Sequence, residues 1–158
     1  MINLKRKITV FLVFLVYLAF LVCILFFGGR HASHESFSTY IHSNVNLIPF
    51  KTIQVYYNGY INHRAYSSIA FTNLVANLLI FLPMGIFIPS LFKKTNIIKF
   101  IILTFMILLG VETLQLVLKI GIFDIDDIIL NFSGAFLGYI LYKIYSVIKK
   151  YNDGSVSL

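Results

Sequence analysis

The sequence predicts an all-α integral membrane protein, a bundle of four transmembrane helices with one long outer loop. Three observations carry this. The chain of 158 residues is 59% hydrophobic and only 12% charged, about half the charged fraction of a soluble domain. Four apolar runs are each long enough to cross a bilayer, which takes roughly 20 helical residues. Basic residues cluster at alternate ends of those runs, the pattern of the positive-inside rule.

The runs cover about residues 8–27, 69–92, 97–118 and 127–148. Only helices and closed barrels satisfy their backbone in lipid, and no alternating barrel pattern is present, so each run is expected to be a helix. The first follows Lys5, Arg6 and Lys7. It is longer than the apolar core of a signal peptide and no small-residue cleavage site follows, so a retained anchor is expected. Val22 stands where a lipoprotein signal needs a small residue before Cys23. Cys23 is the only cysteine, which excludes a disulfide within the chain. In the second run Pro83 removes a backbone donor and, with Gly85 close by, predicts a kink; Pro89 follows in the same run. The whole chain, 1–158, reads as one membrane domain with a frayed tail.

The net charge of +7 does not point to nucleic acid, because its placement follows topology. Lys5, Arg6, Lys7, Lys93, Lys94, Lys99, Lys143, Lys149 and Lys150 share one side if the helices alternate. The other side holds Arg30, Lys51, Arg64 and Lys119. Both termini are therefore expected to be cytoplasmic. The outer face then receives a long loop, about 28–68, and a short one, about 119–126. The long loop carries Tyr40, Tyr56, Tyr57, Tyr60 and Tyr66, suited to the membrane–water interface, and has room for a short interfacial helix. His31, His34, His42 and His63 are scattered along it and read as solvated residues rather than a zinc site.

Polar groups inside the spans are informative, because they are costly in hydrocarbon and face a bundle interior or a water-filled cavity. Asn73 and Asn77 share a face of the second span. Glu112 and Gln115 share a face of the third, with Lys119 one turn further. Asp127, Asn131, Gly134 and Gly138 form a narrow stripe on the fourth. At about 1.5 Å per residue, Asn77, Glu112 and Asn131 fall roughly 12, 9 and 6 Å below the outer boundary. Gly134 and Gly138 would let a neighbouring helix approach closely. Three of the six acidic residues, Asp124, Asp126 and Asp127, are gathered in FDIDDIILN. Structural roles are open for all of these groups. Asn and Gln can bridge helices, Glu112 can pair with Lys119, and Asp124 or Asp126 can cap the fourth helix.

The order of motifs adds a resemblance. NLIPF (46–50), NLVANLLIFLPMGI (73–86), VETLQ (111–115) and FDIDDIILNFSGAFLGY (123–139) resemble the VanZ-like family of small bacterial membrane proteins. Asn46, Pro49, Asn73, Asn77, Pro83, Gly85, Glu112, Gln115, Asp124, Asp127, Asn131, Gly134 and Gly138 match its pattern. Many members carry an arginine between the third and fourth motifs, where this chain has only Lys119, a point charge in place of a bidentate fork. The resemblance implies a multi-pass protein of the bacterial cytoplasmic membrane. It also implies a cell-envelope role of the teicoplanin-resistance type, with no established catalytic activity.

Three functions compete. In the first, a non-enzymatic envelope protein uses Asn73, Asn77, Glu112, Gln115, Asp124, Asp127 and Asn131 to engage a lipid-linked cell-wall intermediate, a glycopeptide antibiotic or a partner protein. Lys119 is then a candidate anion contact, and no cofactor is required. In the second, a membrane enzyme holds a divalent cation on Glu112, Asp124 and Asp127 and acts on a lipid phosphate. The third, a channel or transporter, lacks a polar path through the cytoplasmic half.

Overall fold

The computed structural model describes residues 4–28, 32–61, 67–92 and 95–152. Of the residues discussed above, Arg30, His31, His63, Arg64, Tyr66, Lys93 and Lys94 lie outside them, as does the tail 153–158. Seven α-helices are described: α1 (Leu4–Val22), α2 (Phe37–Ser43), α3 (Lys51–Ile61), α4 (Ser67–Ile80), α5 (Leu82–Leu91), α6 (Ile97–Val117) and α7 (Ile125–Asn152). Four segments are long and apolar enough to cross a membrane: Leu4–Phe27, Thr72–Leu91, Ile97–Val117 and Ile125–Asn152. The protein is thus a multi-pass membrane protein. Its many accessible large side chains, such as Val16, Phe27, Ile98 and Val147, are what a lipid-facing surface requires.

α7 packs most extensively against α5 and α4, and glycine explains how. A Cβ on Gly134 would collide with the carbonyl oxygen of Leu78, one on Gly138 with that of Leu82, and one on Gly85 with that of Ala135. The obstacle is backbone in each case, so the helices touch main chain to main chain. Gly85 is therefore a contact surface rather than a flexible partner of Pro83.

The second span is two helices, broken at Phe81. Pro83 sits in the first turn of α5, where a missing N–H leaves no intrahelical bond unmade. Met84 N–H donates to Phe81 O (3.1 Å), a tightened turn that leaves the Ile80 carbonyl free to accept the Tyr17 hydroxyl (2.9 Å). Helix α1 thus contributes a polar contact that its apolar sequence does not advertise. Phe87 packs beside Phe14 and Tyr17, with ring centroids 5.4 and 5.5 Å away, so aromatic contacts join α1 to α5. Tyr17→Phe is expected to lower stability by about 1 kcal/mol, the typical worth of one hydrogen bond between spans. Thermal unfolding in detergent measures it.

The described part of the long loop holds more structure than the single short helix for which it has room. It holds α2, α3 and a two-residue strand β1 (Val45–Asn46), which pairs in parallel with β2 (Phe123–Asp124). Among the described residues this bridge is the one sheet contact, and the regular structure is otherwise helical. Ser33 N–H donates to Lys119 O (2.9 Å), Phe123 N–H to Asn44 O (2.9 Å) and the Tyr40 hydroxyl to Gly121 O (2.8 Å). Residues 33–53 and 119–126 are clasped together over one end of the bundle.

Candidate functional site

FDIDDIILN lies at the centre of that clasp, and its three aspartates divide the work. Asp124 caps α7: its Oδ1 accepts from Asp126 N–H (2.9 Å), two residues into the helix, as an N-cap does. The same oxygen accepts from Asn46 Nδ2 (3.1 Å), and Oδ2 accepts from the Thr52 hydroxyl (2.5 Å). Asp126, fully buried, caps a different helix. Its Oδ1 accepts from Phe50 N–H (2.5 Å) and its Oδ2 from Thr52 N–H (2.8 Å) and Ile53 N–H (3.2 Å). These are orphan donors of the first turn of α3. Phe50, in the N-cap position, has a phenyl side chain that accepts no hydrogen bond and a φ of 65°, so the cap arrives from a distant segment. Asp127, half-buried in the first turn of α7, accepts from Asn77 Nδ2 of α4 (2.6 Å).

The remaining candidates occupy distinct places. On α6 the buried residues are Phe100, Thr104, Leu108, Glu112 and Gln115, steps of 4, 4, 4 and 3 that keep one face against the bundle. Gln115 Nε2 donates to Leu25 O (2.9 Å), in the π-helical turn Cys23–Phe27 that continues α1. Asn131 is buried one turn below Asp127, and its Oδ1 has no hydrogen-bond partner among the described residues. Asn73 is exposed on α4, so it does not share the half-buried setting of Asn77.

Lys119 shapes the end of α6. It takes the left-handed position (φ 54°) at the end of α6, with Ile120 N–H donating to Gln115 O (3.0 Å) and its own N–H to Leu116 O (3.0 Å). That is a Schellman terminus, usually occupied by glycine. Its Nζ donates to Glu35 O (2.8 Å).

Glu112, Asp124 and Asp127 do not gather into a metal site. Among the described residues no three His, Cys, Asp or Glu side chains are placed to hold one ion, and both Asp124 oxygens already accept hydrogen bonds. The divalent-cation ligand set expected of the enzyme reading is not assembled, because Asp124 turns toward Asn46 and Thr52 while Asp127 turns toward Asn77.

Sequence reasoning did not single out Asp126 or Thr52 as site residues, and it placed Asn46 only in the family pattern. The available signal was Pro49 just before a polar Lys51–Thr52 pair, a plausible helix start.

A model of the VanZ/LLP1 family matches residues 14–146. The chain belongs to the VanZ/LLP1 family. Among curated proteins it is similar to Protein VanZ of Enterococcus faecium, 32% identical over 74 residues. That match covers 47% of this chain and 46% of the relative, so the chain spans about half the length of the VanZ protein it matches. No solved structure matches the chain. The VanZ/LLP1 match takes in the second and third spans whole, parts of the first and fourth, and the clasp, so the aspartates and their partners belong to the family domain.

Proposed function

We propose that this VanZ-like protein acts in the bacterial cytoplasmic membrane and lowers susceptibility to glycopeptide antibiotics such as teicoplanin. It does so without catalysis, by engaging a ligand at the outer, clasped end of the bundle. The observation that carries this reading is the Asn77–Asp127 pair (2.6 Å) above the buried Asn131 carbonyl oxygen, which has no partner among the described residues. A carboxylate and an amide oxygen at the rim of the hydrocarbon favour a ligand rich in donors. The hydroxyls, amides and amines of a lipid-linked cell-wall intermediate or of a glycopeptide meet that description, and a partner protein with such groups would as well. The buried Glu112 extends the acceptor set.

Asp127→Asn and Glu112→Gln each retain shape and exchange a carboxyl group for an amide. In a sensitive Gram-positive host at matched membrane abundance, both are expected to lose the wild-type protection against teicoplanin. Loss of a charge-assisted hydrogen bond of about 1.5–3 kcal/mol would weaken ligand binding roughly 10- to 100-fold. Protection equal to wild type in both variants would show that the carboxylates serve the fold alone.

A further inference from the structure

The opposite end of the bundle carries a second feature that the reading above does not use. Arg6 and Lys7 in the first turn of α1 and Lys149 and Lys150 in the last turns of α7 line one cleft of about 720 Å³. None of the described residues that line the cleft is acidic. Its apolar lining comes from Val10 and Phe11 of α1 and from Leu91 and Phe92 at the end of α5. Tyr142, Tyr145 and Ser146 of α7 complete a wall with hydroxyls between the basic rim and the apolar part.

We propose that this cleft binds an anionic phospholipid, with its phosphate among the four cations and the start of an acyl chain along Phe11 and Phe92. Arg6, Lys149 and Lys150, with Lys7 beside them, give the cleft a basic rim that suits an anion, and a basic pocket between transmembrane helices at the headgroup level suits a lipid phosphate. A soluble anion would use the cations but leave the apolar wall uncovered. The volume falls in the range of about 300–1,000 Å³ typical of small-molecule sites, sufficient for a headgroup and its first methylenes. The tyrosines have the amphipathic character found at the interface. The lipid also joins α1 to α7, helices that bring their basic ends together here.

The test uses the full chain purified in a neutral detergent, its thermal midpoint followed against added phosphatidylglycerol, phosphatidylcholine or glycerol 3-phosphate. Phosphatidylglycerol is expected to raise the midpoint at concentrations where the other two do nothing. Each basic residue near a membrane surface is worth about fivefold in affinity, so Arg6→Gln with Lys149→Gln is expected to raise the half-saturating concentration about 25-fold. Ser146→Phe keeps every charge but fills the cleft, and is expected to abolish the response, whereas Lys51→Gln at the other end leaves it unchanged. Equal stabilisation by phosphatidylcholine or by glycerol 3-phosphate would overturn the proposal. So would an unaltered response in Ser146→Phe, or an equal loss in Lys51→Gln, which would mark a diffuse surface-charge effect.

Discussion

Asp126→Ala is expected to melt α3 and the clasp while leaving the four spans in the membrane. Asp126 is fully buried and accepts from three backbone donors of the first turn of α3. Alanine leaves all three without their acceptor. These bonds are part-buried, so water can reach the freed donors; at about 1 kcal/mol net for each bond, the loss is about 3 kcal/mol. No local side chain substitutes, because Phe50 occupies the N-cap position in a left-handed conformation that is itself unfavourable for a bulky residue. The spans are held by their own backbone bonds and by lipid, so the loss is local. Hydrogen exchange should show residues 50–53 losing protection in Asp126→Ala and keeping part of it in Asp126→Asn, which retains one acceptor oxygen. Undiminished protection in the alanine variant would mean that the cap does not hold α3.

Gly134→Ala is expected to be among the most damaging single-methyl changes in the bundle. The added Cβ would meet the Leu78 carbonyl oxygen, which belongs to the α4 backbone and cannot swing aside. Alanine gains about 1 kcal/mol over glycine in helix propensity, whereas overpacking costs typically about 1–3 kcal/mol, more where nothing relaxes. The clash wins, and α4 must move away from α7, separating Asn77 from Asp127. Gly110→Ala is the matched control: nothing lies within 4 Å of its added Cβ, so only the propensity gain of about 1 kcal/mol remains. Size-exclusion profiles and thermal midpoints in detergent should therefore move in opposite directions for the two variants. A Gly134→Ala protein as stable as wild type would show that the two backbones are not in contact.

The functional and structural substitutions also separate from one another. Asp127→Asn and Glu112→Gln are aimed at protection in cells, whereas Asp126→Ala is aimed at exchange in α3. If all three melted the clasp equally, the aspartates would form one structural unit and the division of roles between Asp126 and Asp127 would be wrong.

The sequence by itself determined the parts of this protein that depend on local pattern. Four spans followed from run length, because the bilayer imposes a minimum number of consecutive apolar residues whatever the fold. The interior faces of α6 and α7 followed from helical spacing, which is why Glu112, Gln115, Asn131, Gly134 and Gly138 are all buried. Tertiary structure alone decided the partners. The donors that Asp126 satisfies come from Phe50, Thr52 and Ile53, at least 73 residues away in the chain, and nothing local names which orphan N–H a carboxylate will meet. Gln115 found a carbonyl in a π-helical turn of the first span, and Tyr17 found one where the second span breaks. Such irregularities expose a backbone acceptor only once the neighbouring helix is in place. Periodicity specifies the direction a side chain faces; what stands opposite is set by the packing of segments distant in sequence.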